Sequence, residues 1–175
     1  PLPLTVSMLG PLDWGPVIGG YIATIFLAGA YSAIGLFVSA KTSNQIVSLI
    51  FSVLVCGAFY LVGSEAITGL FDNKLGELLG LIGSGSRFES ITRGVIDFRD
   101  IYYYLSIIGI FLALNVLALE KIRWADNPRN SRHDQWLLIT ALFVANFIAG
   151  NLWIQKVTFA RVDLTAGQIY SISPT

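Results

Sequence analysis

The chain has little of what catalysis or metal binding ordinarily uses. Its 175 residues include one histidine, His133, and one cysteine, Cys56, which excludes an intrachain disulfide and any metal site built from several such ligands. The G-x-x-x-x-G-K-[ST] phosphate loop is missing. Gly83 and Gly85 have no lysine after them, so nothing here cradles nucleotide phosphates in that way. A Ser-His-Asp site can be drawn around His133 and Asp134, but a polar linker supplies neither a pocket nor an orienting group. No catalytic residue, cofactor or metal ligand is assigned, no substrate path is defined, and Cys56 reads as a small packing residue. Charge is scarce too: 13% of residues are Asp, Glu, Lys or Arg.

What is present is apolar. Hydrophobic residues make up 54% of the chain and mean hydropathy is +0.69, both outside the habit of soluble domains. Four stretches carry no charged side chain: 14–40, 42–64, 101–119 and 135–155. Even the shortest would form a helix of about 28 Å, close to the thickness of a bilayer's hydrocarbon layer. The first two are separated by Lys41 alone, which predicts a tight helical hairpin. Buried helices of large globular proteins can also be apolar all round, but so much uncharged chain leaves too little polar surface to cover it in water. A cleaved signal peptide is excluded as well, because three more long runs follow the first.

The ends of the runs carry amphipathic rings. Trp136 and Trp153 bracket the fourth run, about 26 Å apart along a helix, while Tyr102, Tyr103 and Tyr104 open the third and Trp124 follows it. Such rings suit the headgroup level of a membrane. The turn 40–44 and the linker 120–134 hold Lys41, Lys121, Arg123, Arg129 and Arg132, and the longer segments on the other side hold basic residues at lower density. By that density the first side is expected to be cytoplasmic. Both ends of the chain then lie outside. The sequence begins "PLPLTVSMLGPLDWG", without a leading methionine and in the manner of a loop between spans, so earlier spans are expected to be missing.

Residues 64–100 are too polar to span. Ile67, Leu70, Phe71, Leu75, Leu78, Leu79 and Ile82 recur at helical steps and form one apolar face. The "GSGS" of 83–86 breaks the chain, and Phe88, Ile91, Val95 and Ile96 make a second stripe. Two short amphipathic helices at the outer interface, about 65–82 and 87–96, are expected. Glu65, just past the second span, is the best placed acid to meet a substrate or a proton. An acid at such an edge more often simply marks where a helix meets water. Asp97, Arg99 and Asp100 are expected to set the depth and cap of the third span, because a charge at a span's centre costs about 2.5 to 3.5 kcal/mol on insertion scales. Small residues recur four apart at Gly15 and Gly19, Gly19 and Ala23, Gly29 and Ala33, and Gly35 and Ser39. That spacing allows close approach of two backbones in lipid, either to another subunit or within the chain.

Two stretches carry a family resemblance. "RGVIDFRDIYYYLSIIGIFLALNVLALEKIRW", 93–124, resembles the final span of the ABC-2 type permeases, most closely their gliding-motility branch. "AIGLFVSAKTSNQIVSLI", 33–50, resembles the family's preceding hairpin, with Asn44 and Gln45 opening the second helix. Two short outer helices precede the last span in that family. The C-terminal "KVTFARVDLTAGQIYSISPT", 156–175, resembles the start of the auxiliary protein of the same branch, through Arg161, Asp163, Leu164, Thr165, Tyr170, Ser171, Ser173 and Thr175.

The expected fold is therefore all-α and polytopic, with four transmembrane helices, about 16–40, 44–63, 101–120 and one within 136–175, plus the two interfacial helices. Residues 1–124 would be the C-terminal part of a permease, 125–135 a cytoplasmic linker, and 136–175 the anchor and the start of an external auxiliary domain. The resemblance implies a transport permease of the bacterial inner membrane, not itself an enzyme. Its partners would be a separate ATP-binding-cassette ATPase, a second permease half and the lipid bilayer, with no nucleic acid among them. A non-transporting membrane scaffold or anchor is the competing expectation.

Overall fold

The computed structural model describes residues 2–71, 73–124, 132–154 and 161–165. Most of the expected linker, and Tyr170, Ser171, Ser173 and Thr175, lie outside the described residues. Four helices are long and apolar enough to cross a membrane: α2 (Trp14–Lys41), α3 (Gln45–Val62), α7 (Phe98–Trp124) and α8 (Arg132–Ile154). The chain is an all-α, multi-pass membrane protein.

Local chemistry starts and stops these helices. Asp13 caps α2, its Oδ1 accepting a 2.9 Å bond from the Gly15 amide, and Pro16 falls in the first turn, where a missing N–H leaves no partner stranded. Lys41 closes the last turn. Asn44 then accepts from the amides of Ile46 and Val47 at 2.9 and 3.4 Å, so the hairpin between α2 and α3 needs only residues 42–44.

The N-terminal segment differs from the expected loop, since Leu2–Leu9 forms a helix, α1, that buries none of its side chains. Pro3 sits in its first turn, where proline is tolerated. Thr5 and Ser7 return hydroxyl bonds to the carbonyls of Leu2 and Leu4, and Gly10 and Pro11 follow its end.

Between α3 and α7 the chain makes three short helices and a strand in place of the two helices expected. These are α4 (Glu65–Thr68), α5 (Asn73–Ile82), α6 (Gly85–Thr92) and β1 (Val95–Asp97). The stripe expected to run unbroken from 65 to 82 is interrupted because Gly69 closes α4, its amide bonding to Glu65 O at 3.0 Å. The second expected helix, 87–96, begins earlier and stops sooner. Gly94 turns the chain with φ +87°, a conformation that costs a side-chain-bearing residue more. The β-branched Val95 and Ile96 then extend and pair antiparallel with β2 (Arg161–Asp163), with Val95 opposite Asp163 and Ile96 opposite Val162.

The bundle is organised on α2, which packs most extensively on α7, and α7 packs in turn on α8. Its core gathers Ala23, Ala30 and Ile34 of α2, Ile91 of α6, and Tyr103, Tyr104 and Ile107 of α7. The small residues of α2 meet partners within the chain. A Cβ added to Gly15 or Gly19 would run into backbone at Leu164 or Ile91, and Ala23 and Ala33 are buried. Gly35 and Ser39 are less enclosed. The outward faces of α3 and α8 are lined with exposed leucine, isoleucine, valine and phenylalanine, among them Leu49, Phe51, Leu138 and Phe143. That is the arrangement lipid tolerates and water does not.

Candidate functional site

Two polar features stand at opposite ends of the bundle. At the first, the cap end, α6 is driven in between α2, α3 and α7. Close backbone contact makes this possible: a Cβ on Gly83 would meet the backbone of Gly63, and one on Gly85 would meet the carbonyl of Tyr60. The Ser84 amide donates to Phe59 O at 2.9 Å. The Ser84 hydroxyl bonds with the Tyr31 hydroxyl at 2.9 Å, and its carbonyl accepts from the Tyr104 hydroxyl at 3.1 Å. Tyr103 donates to the carbonyl of Ile82. Three tyrosines from two spans thus hold the turn between α5 and α6.

Beside that turn lies an ion pair. Arg87 Nη1 is 3.0 Å from Asp100 Oδ1, and the guanidinium carbon sits 4.5 Å from the centroid of the Tyr103 ring. The ring face attracts the cation, an effect worth about 2 kcal/mol when desolvated. Arg87 Nε is buried with no hydrogen-bond partner among the described residues.

The expected site residues fall into different places. Glu65 is ion-paired with Arg93 at 3.3 Å, with their side chains 73% and 57% exposed. Asp97 and Arg99 pair with each other at 3.5 Å, and Asp97 Oδ1 accepts from the Arg99 amide at 3.0 Å, as a cap of α7 would. Asp100 lies in the first turn of α7 but departs from the expected cap, its side chain being buried against Arg87. Tyr103 and Tyr104 depart as well: both are fully buried, and Tyr102 turns to α8, where its hydroxyl donates to Asn146. Cys56 is half-buried on α3, its Sγ 4.0 Å from Tyr31 O. The side chains of His133 and Asp134 lie outside the described residues.

Sequence reasoning missed Arg87, Ser84 and Tyr31. One signal was available at the tyrosine run, since three consecutive helical residues point about 100° apart and cannot all face one interface.

The second feature, at the lysine end, is a groove of about 250 Å³ between α2, α7 and α8. Phe37, Leu114, Leu117 and Leu137 line it, and Lys41 and Lys121 stand at its polar end.

No family model matches the chain, and neither a curated protein nor a solved structure matches it.

Proposed function

We infer that the chain is a membrane-spanning part of an ATP-binding-cassette transporter of the ABC-2 type. In this reading α2, α3 and α7 belong to the permease, α8 is the anchor of a fused auxiliary subunit, and the bundle sits in the bacterial inner membrane. The cap end faces outward and the lysine end the cytoplasm. A second permease half completes the path, and hydrolysis belongs to a separate ATPase, because the sequence has no phosphate loop.

The observation that carries the reading is the position of α4, α5 and α6. They are short helices folded back into one end of the bundle, between a hairpin of spans and the next span; the family resemblance implies two short outer helices at that point of the chain, where this chain has three and a strand. Nucleotide-driven closure of the ATPases would shift the spans, and the cap, fastened to α2, α3 and α7 together, would move with them.

A second reading, a non-transporting scaffold or anchor, draws on the pairing of β1 with β2. That ribbon joins 161–163 to the cap, a contact that would steady whatever follows it outside the membrane. Co-expression with a neighbouring ATPase that carries a phosphate loop, followed by purification into lipid vesicles, tests both. Transport predicts co-purification and ATP hydrolysis that responds to candidate lipids, polysaccharides or peptides. A scaffold predicts no such response, and failure of any ATPase to associate would overturn the transporter reading.

A further inference from the structure

We propose that the groove at the lysine end is a binding site for an anionic phospholipid, with the headgroup phosphate between Lys41 and Lys121 and the start of an acyl chain along Phe37, Leu114, Leu117 and Leu137. This proposal is independent of the transport reading.

The groove is lined almost wholly by carbon, and its two charged lining residues, Lys41 and Lys121, both belong to the C-terminal ends of their helices. On α7 the lining residues Leu114, Leu117, Ala118 and Lys121 follow one another at three and four residue steps, so they form a continuous strip about 10 Å long. The strip runs from the charged end of a span toward its middle. An amphiphile with a charged head and an apolar tail matches that gradient, whereas a free ion would leave the carbon walls unused.

Charge sets the sign of the head. The C-termini of α2 and α7 both lie at this end, and the negative ends of their dipoles alone would repel an anion. Lys41 and Lys121 reverse that. Both are exposed, and among the described residues neither is in an ion pair. Glu120 neighbours Lys121 in the chain but does not line the groove. Basic pockets between spans bind anionic headgroups on this physical basis. The groove opens among helices that cross the bilayer, so phospholipid is the amphiphile that reaches it.

The test is retention of lipid by the purified chain in neutral detergent, read by native mass spectrometry against dioleoyl phosphatidylglycerol and dioleoyl phosphatidylcholine. Phosphatidylglycerol should be retained preferentially. Lys41→Gln with Lys121→Gln should weaken it about thirtyfold, the combined worth of two interfacial lysines, and Lys41→Arg with Lys121→Arg should restore it. Ala118→Trp, which fills the groove and leaves both lysines in place, should also lower retention. Inorganic phosphate at matched ionic strength should not compete. Equal retention of the two lipids would overturn the proposal, as would full competition by phosphate. So would a double Gln variant that binds phosphatidylglycerol unchanged, or one that alters only the association of chains.

Discussion

Arg87, carried by a helix of eight residues, makes a 3.0 Å ion pair with Asp100 in the first turn of α7, and the two side chains are only 9% and 8% exposed. The pair joins the cap to a span at a point where neither charge reaches bulk water. Its net worth relative to an apolar pair is small, because desolvation of both ions offsets their attraction. Its role is instead to hold one position of α6: any movement of the cap away from α7 would strand two buried charges.

Removing one partner should therefore be costly. Arg87→Met leaves Asp100 buried and uncompensated, and a loss of about 3 to 5 kcal/mol is expected. The double variant Arg87→Met with Asp100→Leu should recover much of that loss. Thermal unfolding of the four proteins in one detergent gives the coupling directly. Additive losses would show that the two side chains act independently.

The glycines of α2 provide an internal control. A Cβ at Gly19 would collide with the Ile91 carbonyl, whereas one at Gly20 has nothing within 4 Å. Gly19→Ala should cost about 1 to 3 kcal/mol through overpacking and loosen α6 from α2. Gly20→Ala should be neutral or stabilising by up to about 1 kcal/mol, since alanine holds a helix better than glycine. Comparable melting temperatures for the two variants would contradict the packing described here.

Some of these features are written plainly in the sequence. The four spans were legible because a bilayer demands about twenty apolar residues in succession, and the start of α3 at Asn44 and Gln45 was expected from the family resemblance; the side chain of Asn44 there bonds the free amides. The cap was less legible. Its strand, β1, depends on a partner at 161–163, far along the chain, so local periodicity at Val95 and Ile96 read as helix. Arg87 drew no reading and Asp100 read as part of the cap of the third span, because charge is normally solvated and only their pairing makes burial tolerable. The groove could not be located either, since spans that are apolar all round give no sign of which face meets a neighbour.

The placement of the two ends leads to a labelling prediction. Arg93 is exposed at the cap end and Ser43 in the hairpin turn at the lysine end. In a Cys56→Ala background, Arg93→Cys should react with a membrane-impermeant maleimide in intact cells, and Ser43→Cys only after lysis. The reverse pattern would invert the proposed orientation. Labelling of both from the same side would overturn the four-span arrangement.

Glu65 and Arg93 form the contrasting pair. They lie 3.3 Å apart with most of both side chains exposed, and exposed pairs contribute about 1 kcal/mol at most. Glu65→Gln should thus leave the melting temperature within a few degrees of the unmodified protein. That insensitivity separates the two expectations for Glu65. Under the proposed transport reading, if Glu65 only marks the end of the second span, Gln will also leave ATP hydrolysis by the partner ATPase unchanged in vesicles. If the carboxylate meets substrate or a proton, hydrolysis will lose its response to substrate while stability stays the same. A loss of both together would mean instead that this pair holds the cap in place, with more energy than its exposure allows.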